Sequence, residues 1–271
     1  MDNRPIGVFD SGLGGITAVR ELMRVMPTQP IIYFGDTGRV PYGGRSRETI
    51  VRYTRQDIRF LLTFDLKLIV AACGTMSANA LDIVANEVDI PIVGVVESSV
   101  RRAIEETKNG RIGVIGTTAT IKSGAYERLI SALAPDAQVF SAACPLFVPL
   151  VENGRYSAGD VAVEAIASDY LKPLAQRDID TLILGCTHYP LLRDVISGVM
   201  GPCVKLVDAG EACAVNAASL LRREDMLCDE NSRGGCRFFV SDDPGNFSSI
   251  ASVFLGCSVS DEIEQVDISS Y

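Results

Sequence analysis

The sequence predicts an α/β protein made of two similar units, each built around a mainly parallel sheet. Three observations carry that prediction. Short, wholly apolar segments recur along the chain, as strands buried on both faces of a parallel sheet require. Longer amphipathic stretches separate them, as crossover helices do. The chain also resembles itself at a long period. Asp65-Leu-Lys-Leu-Ile-Val-Ala-Ala-Cys73 lies over Asp178-Ile-Asp-Thr-Leu-Ile-Leu-Gly-Cys186 at an offset of 113 residues, and Ile6-Gly7-Val8-Phe9 lies over Ile112-Gly113-Val114-Ile115 at an offset of 106.

In chain order, strands are expected near Ile6–Phe9, Ile31–Phe34, Leu66–Ala72, Ile92–Val95, Ile112–Ile115, Val139–Ala142, Leu182–Leu184 and Lys205–Val207. Helical patterns fall between them at Ile16–Met26, Arg45–Phe64 and Ser77–Asn86, and Pro190 suits the first turn of a helix from Leu191 through Ser197. A chain of 271 residues, 47% of them hydrophobic, is ample for a sizeable core. Its 34 acidic and 25 basic residues leave a net charge of −9. That charge argues against an extended polyanion such as a nucleic acid as partner, but not against one small anion held by local donors. No apolar run reaches the roughly 18 residues of a membrane span. The N-terminus runs almost directly into a strand, without the layout of a signal peptide. A cytoplasmic protein is therefore expected.

The chain has eight cysteines and one histidine, His188, and no Cys-x-x-Cys pair. Zinc spacing and a thioredoxin-type motif are both missing, so no metal is expected. Two cysteines stand apart. The repeat places Cys73 and Cys186 at the carboxyl ends of equivalent strands, where open parallel sheets bind ligands. Two units packed face to face would bring both thiols to one cleft. Each cysteine precedes a helical segment, and a helix N-terminus favours the thiolate. Polar residues follow each, Gly74-Thr75 and Thr187-His188. The other six, Cys144, Cys203, Cys213, Cys228, Cys236 and Cys257, read mostly as small buried hydrophobes.

Two loops carry further candidates. Asp10-Ser-Gly-Leu-Gly-Gly-Ile-Thr17 follows a strand and, with Asp36 at the end of the next, partly imitates a dinucleotide fingerprint. Thr17 holds the third glycine position, however, and Asp10 would face a pyrophosphate with like charge. The loop reads better as one whose backbone N–H groups receive a carboxylate, with Ser11 as an added donor. Asp10 is then free to act as acid, base or partner for an ammonium. The plainer alternative is that Asp10 and Ser11 only cap the next helix. The segment from Phe34 to Gly44 is dense in turn residues and is either a tight connection or a site wall exposing backbone donors. Asp36, Tyr42 and Gly43 are its candidates.

With these motifs the chain resembles the cofactor-independent aspartate/glutamate racemases. The matching stretches are Gly7-Val-Phe-Asp-Ser-Gly-Leu-Gly-Gly15, Phe34-Gly-Asp-Thr-Gly-Arg-Val-Pro-Tyr-Gly43, Ala72-Cys-Gly-Thr75, Phe147-Val-Pro-Leu-Val-Glu-Asn-Gly154 and Leu184-Gly-Cys-Thr-His-Tyr-Pro-Leu191. They occur in family order over most of the chain, and the last is specific by itself. One departure is visible: Gly74 stands where the family commonly has an asparagine that contacts the substrate.

The resemblance implies a two-base racemisation of L-glutamate to D-glutamate, a peptidoglycan precursor, with no pyridoxal phosphate or other cofactor. One cysteine thiolate removes the α-proton and the opposite thiol returns one to the other face. By resemblance, Asp10 assists at Cys73, His188 assists at Cys186, and Glu152 is a further acidic member. Substrate binding falls by resemblance to Asp10, Ser11, Tyr42, Gly43, Gly74, Thr75, Thr118, Thr187 and His188. The resemblance further implies two α/β domains related by a pseudo-twofold duplication, residues 1–97 plus 208–271 and residues 98–207, with the active site at their interface. The tail from Phe238 to Phe247 then adds a strand and a helix to the first domain. Homodimers are frequent in the family. Two other readings stay open: the same chemistry on aspartate or another acidic amino acid, and a binding module that has lost activity. The presence of both cysteines and His188 weighs against the second.

Overall fold

In the computed structural model, described for all residues except 230, 231, 233, 257, 258 and 260–262, the chain alternates strand and helix throughout. The first stretch runs β1 (Ile6–Asp10), α1 (Ile16–Val25), β2 (Pro30–Gly35), α2 (Arg47–Leu61), β3 (Leu68–Ala71), α3 (Gly74–Asn79), α4 (Leu81–Val84), β4 (Ile92–Gly94) and α5 (Val95–Glu106). The second runs β5 (Arg111–Gly116), α6 (Thr118–Lys122), α7 (Ala125–Leu133), β6 (Gln138–Ala143), α8 (Phe147–Glu152), α9 (Val161–Ala175), β7 (Thr181–Leu184), α10 (Arg193–Met200), β8 (Lys205–Asp208) and α11 (Ala209–Arg223). The tail adds β9 (Gly235–Val240), α12 (Pro244–Leu255) and β10 (Ile263–Gln265).

These elements form two sheets, ordered β10-β9-β2-β1-β3-β4 and β6-β5-β7-β8, with every strand pairing parallel. The order β2-β1-β3-β4 is repeated as β6-β5-β7-β8, and the offset of 113 residues lays β3 directly over β7. The inner strands β1, β3 and β7 are buried at every position, as the unbroken apolar runs predicted. Side-chain caps start several of the helices, with Ser46 accepting from the Thr49 N–H, Asp160 from Ala162 and Val163, and Asp208 from Gly210 and Glu211. Helix α11 packs on both α1 and α5 and so ties the two sheets together.

The structure departs from the sequence reading at three elements. The helix expected over Ser77–Asn86 is two short helices, beginning earlier at Gly74 and interrupted at Ala80, whose φ of −124° leaves the helical region. The helix expected from Leu191 begins as a 3-10 turn, Tyr189–Leu192, and becomes α-helical only at Arg193. Strand β10 was not anticipated, since its three residues are half-buried or exposed and carry no apolar run. The tail strand and helix appear as β9 and α12, with β9 beginning three residues before Phe238.

All described cysteines are free thiols. Cys144, Cys213 and Cys228 are buried as expected of packing residues, but Cys203 is exposed and Cys236 half-buried; Cys257 lies outside the described residues. Among the described residues no helix is long and apolar enough to cross a membrane.

Candidate active site

The loops leaving β1, β2 and β3 meet those leaving β5 and β7 around a cavity of about 340 Å³. Ser11 and Gly12 follow β1, Tyr42 and Gly43 follow β2, and Cys73, Gly74 and Thr75 follow β3. From the other side come Thr117 and Thr118 after β5, and Cys186, Thr187 and His188 after β7, with Glu152 reaching in from the end of α8. Both thiols therefore line one space, each carried by the equivalent strand of its sheet. A larger groove of about 760 Å³ lies among α5, α10, β8 and α11 and contains neither of these cysteines.

On the first wall, Cys73 occupies the N-cap position of α3 with an extended backbone, and its thiol donates to Ser11 Oγ at 3.2 Å. Burial pushes this thiol up to about 12, the Asp10 carboxylate works in the same direction, and the Ser11 hydroxyl and Met76 N–H only partly oppose them. The sequence had suggested a thiolate stabilised by the helix N-terminus. At Cys73 desolvation overrides it, because a six-residue helix supplies little dipole while the residue is only 5% exposed. Asp10, predicted as a direct participant, stands behind the cavity wall and does not line it. Its Oδ2 accepts the Gly12 N–H at 2.9 Å, while Oδ1 has no hydrogen-bond partner among the described residues. Burial raises its pKa against the pull of nearby backbone N–H groups and His188.

On the second wall, Cys186 Sγ lies 3.8 Å from His188 Nδ1, and His188 Nε2 lies 3.1 Å from Glu152 Oε1. Burial by itself would lower the imidazole pKa. The hydrogen bonds and charges of Cys186 and Glu152 outweigh it and raise His188 to about 10. The ring is thus an imidazolium at neutral pH, packed edge-on against Phe254 at a centroid distance of 5.8 Å. Here, unlike at Cys73, no α-helix begins at the cysteine, and the cation is His188 rather than a helix end. The two walls are electrostatically unequal, with a neutral thiol on one and a sulfur beside a cation on the other.

The loop after β2 is held from behind. The Tyr42 hydroxyl donates to Asp36 Oδ2, Arg39 bridges Asp36 at 2.6 Å and Asp57 at 3.0 Å, and Ser241 Oγ donates to Asp36 Oδ1 at 2.7 Å. The Tyr42 hydroxyl is thereby committed, which leaves the backbone at Tyr42 and Gly43 facing the cavity. Sequence reasoning missed Thr117, which caps α6 and whose hydroxyl lies 3.0 Å from that of Thr75. It sits beside Thr118 in the same Gly-Thr-Thr loop, and its capping role distinguishes it from that neighbour. It also missed Val148 and Pro149, apolar lining on α8 inside the Phe147–Gly154 stretch already singled out.

The sequence profile described as Asp/Glu/Hydantoin racemase matches residues 17–217. The glutamate racemase of Geobacter metallireducens is 46% identical over 261 residues, covering 96% of each chain. Among solved structures, a glutamate racemase isoform of Bacillus anthracis superposes with a TM-score of 0.93 at 38% identity, covering 98% of each chain. The glutamate racemase of Francisella tularensis, solved in complex with D-glutamate, superposes with a TM-score of 0.92 at 40% identity over the full length of both. Coverage of this extent reaches every loop that carries the cavity, and the chain belongs to the Asp/Glu/Hydantoin racemase family.

Proposed function

We propose that this chain interconverts L- and D-glutamate without a cofactor, using Cys73 and Cys186 as the two proton-transfer groups. The observation that carries the reading is the pair of thiols on facing walls of one cavity, held in different protonation environments. Inversion at the α-carbon needs a base on one face and an acid on the other, and a thiol on each wall can serve in either role. In one direction Cys186, as the thiolate paired with the His188 imidazolium, takes the α-proton. The Cys73 thiol gives its proton to the opposite face of the resulting planar carbanion. The cycle leaves Cys186 as thiol and Cys73 as thiolate, which is the loading needed for the reverse direction. Proton count is conserved at each step.

The substrate carboxylates are held, in this reading, by the hydroxyls of Ser11, Thr75, Thr118 and Thr187 and by backbone N–H groups of the Tyr42-Gly43 and Gly74-Thr75 segments. Asp10 acts through the Ser11-Gly12 loop and through its charge near Cys73, and Glu152 through His188. The active site lies between a domain of residues 1–97 plus 208–271 and a domain of residues 98–207. The enzyme is cytoplasmic and supplies D-glutamate for peptidoglycan. The named activity of the full-length relatives supports glutamate as substrate. Circular dichroism of L-glutamate incubated with the purified chain and no added cofactor tests this. The ellipticity is expected to decay to zero, with L-aspartate turned over far more slowly. Faster decay with aspartate would reassign the substrate, and no decay with either would remove the activity.

A further inference from the structure

At the end of β3 away from the cavity lies a buried amine–thiol pair that the racemisation does not use. Lys67 precedes the strand and Cys73 follows it, so β3 separates the two places. Lys67 is 1% exposed, and a lysine is rarely so buried unless its donors are matched. Its Nζ donates to Asp2 O at 2.7 Å, to Gln29 Oε1, and to Cys228 Sγ at 3.4 Å. The same two carbonyl oxygens hold the cysteine. The Cys228 thiol donates to Asp2 O at 3.3 Å, and the Cys228 N–H donates to Gln29 Oε1 at 3.3 Å. Each oxygen thus receives one bond from each residue, and nitrogen and sulfur are fixed at the separation of a near-attack pair. The acceptors around the amine are carbonyl oxygens and sulfur, not a carboxylate. Burial lowers the Lys67 pKa against the opposite pull of Cys228 and Asp2, which brings the neutral, nucleophilic amine within easier reach. Cys228 stands on the non-helical segment between α11 and β9 and is 6% exposed, whereas Cys144 and Cys213 are sealed at 0%.

We propose that Lys67 and Cys228 form a reversible, peroxide-responsive cross-link, an S–N sulfenamide that joins the start of β3 to the segment after α11. Two steps make it. The Cys228 sulfur attacks one oxygen of hydrogen peroxide. The O–O bond breaks, an S–O bond forms, the sulfur gives up two electrons, and the second oxygen leaves as water. The product is the sulfenic acid. The Lys67 nitrogen lone pair then attacks that sulfur. The S–O bond breaks, and the hydroxide leaves with a proton of the amine as a second water. This step is redox-neutral, so one peroxide supplies all the oxidation. An external thiol reverses the link: two thiols become a disulfide and return the free amine and the free Cys228 thiol. Held in the bridge, Cys228 is kept from the irreversible sulfinic acid. The site is remote from the cavity, and the proposal stands independently of the two-thiol reading.

Treatment of the folded, unaltered chain with hydrogen peroxide, then digestion at acidic residues and peptide mass mapping, tests this. A joined pair of peptides carrying Lys67 and Cys228 is expected, about 2 Da lighter than their sum and released by dithiothreitol. Lys67→Arg keeps the charge but replaces the amine with a guanidinium that does not give up its proton. In that variant the bridge should vanish, and Cys228 should appear about 32 Da heavier, as the sulfinic acid. In the unaltered chain unfolded in urea, the bridged fraction should fall by about tenfold or more, because only the fold brings nitrogen and sulfur together. Absence of the bridge in the folded chain overturns the proposal, as does a bridge from Cys228 to a different amine. A link about 14 Da heavier than the summed peptides, which would retain an oxygen between nitrogen and sulfur, overturns the sulfenamide. Equal bridging in urea overturns the role given to the fold. If Lys67→Arg does not fold, the folded and urea arms on the unaltered chain still decide.

Discussion

At the scale of single residues, the proposed reaction depends on two sulfurs in different surroundings, Cys73 beside Ser11 and Cys186 beside His188. Cys73→Ala and Cys186→Ala are each expected to remove racemisation entirely, because either change leaves one face without a proton carrier; near-normal inversion in either variant would refute the two-thiol assignment. His188 carries a pH prediction. Its pKa, about 10 in the folded protein, lies above its ordinary 6.5. The stability it contributes is therefore complete below about pH 6.5 and is lost as pH rises through about 10. Thermal melts of the unaltered chain should fall over that window more steeply than those of His188→Asn. The same charge sits beside Cys186, so turnover should show an alkaline limb near pH 10. His188→Asn should lower kcat by about a hundredfold and abolish the limb. A limb that persists in the variant would assign it to another group. Both cysteines and His188 were legible in the sequence, since strand-end position and motif identify them. The proton state of Cys73 was not, because desolvation depends on atoms brought from distant segments.

At the scale of elements, the wall after β2 depends on a buried network that reaches the cavity only through Tyr42. Asp57 on α2 is fully buried, and its Oδ2 has no hydrogen-bond partner among the described residues. Burial, with the charge of Asp36 adding to it, pushes its pKa well above the carboxylate range despite Arg39. Asp57 is therefore the neutral member, and Asp36 with Arg39 forms the ion pair that braces Tyr42. Arg39→Met should destabilise the fold by about 3 kcal/mol, the cost of stranding a buried carboxylate. It should also raise KM for glutamate more than it lowers kcat. Asp57→Asn, which mimics the neutral acid, should be close to unaltered in both. Urea denaturation and steady-state kinetics check the pair, and a severe loss in Asp57→Asn would mean that Asp57 is ionised. The sequence showed this loop to be turn-rich and named Asp36, but a network joining β2, α2 and the residue after β9 has no local signature. The same reason explains β10 and the break at Ala80. Three half-exposed residues carry no apolar run, and one altered backbone angle leaves helical spacing intact.

At the scale of the whole molecule, the duplication was legible because a shared strand pattern survives in both halves, and β3 and β7 keep the offset read from Asp65–Cys73 and Asp178–Cys186. How closely the halves approach was not legible, since it depends on contacts such as Gly43 with Thr117 and Gly74 with Gly185, 74 and 111 residues apart in the chain. The net charge of −9 now acquires a consequence. Among the described residues no lysine or arginine lines the cavity, and its cation is His188. Glutamate, a net anion, thus approaches an anionic molecule with no lysine or arginine among the described lining residues to draw it in. Screening extends over about 30 Å at 0.01 M salt and about 8 Å at 0.15 M. Added salt weakens the long-range repulsion while leaving the short, buried hydrogen bonds almost untouched. Accordingly kcat/KM for glutamate should rise between those ionic strengths, by no more than about threefold, while kcat stays constant. A fall in kcat/KM over the same range would mean that exposed cations govern capture of the substrate, in conflict with a site built from hydroxyls, backbone N–H groups and one buried imidazolium.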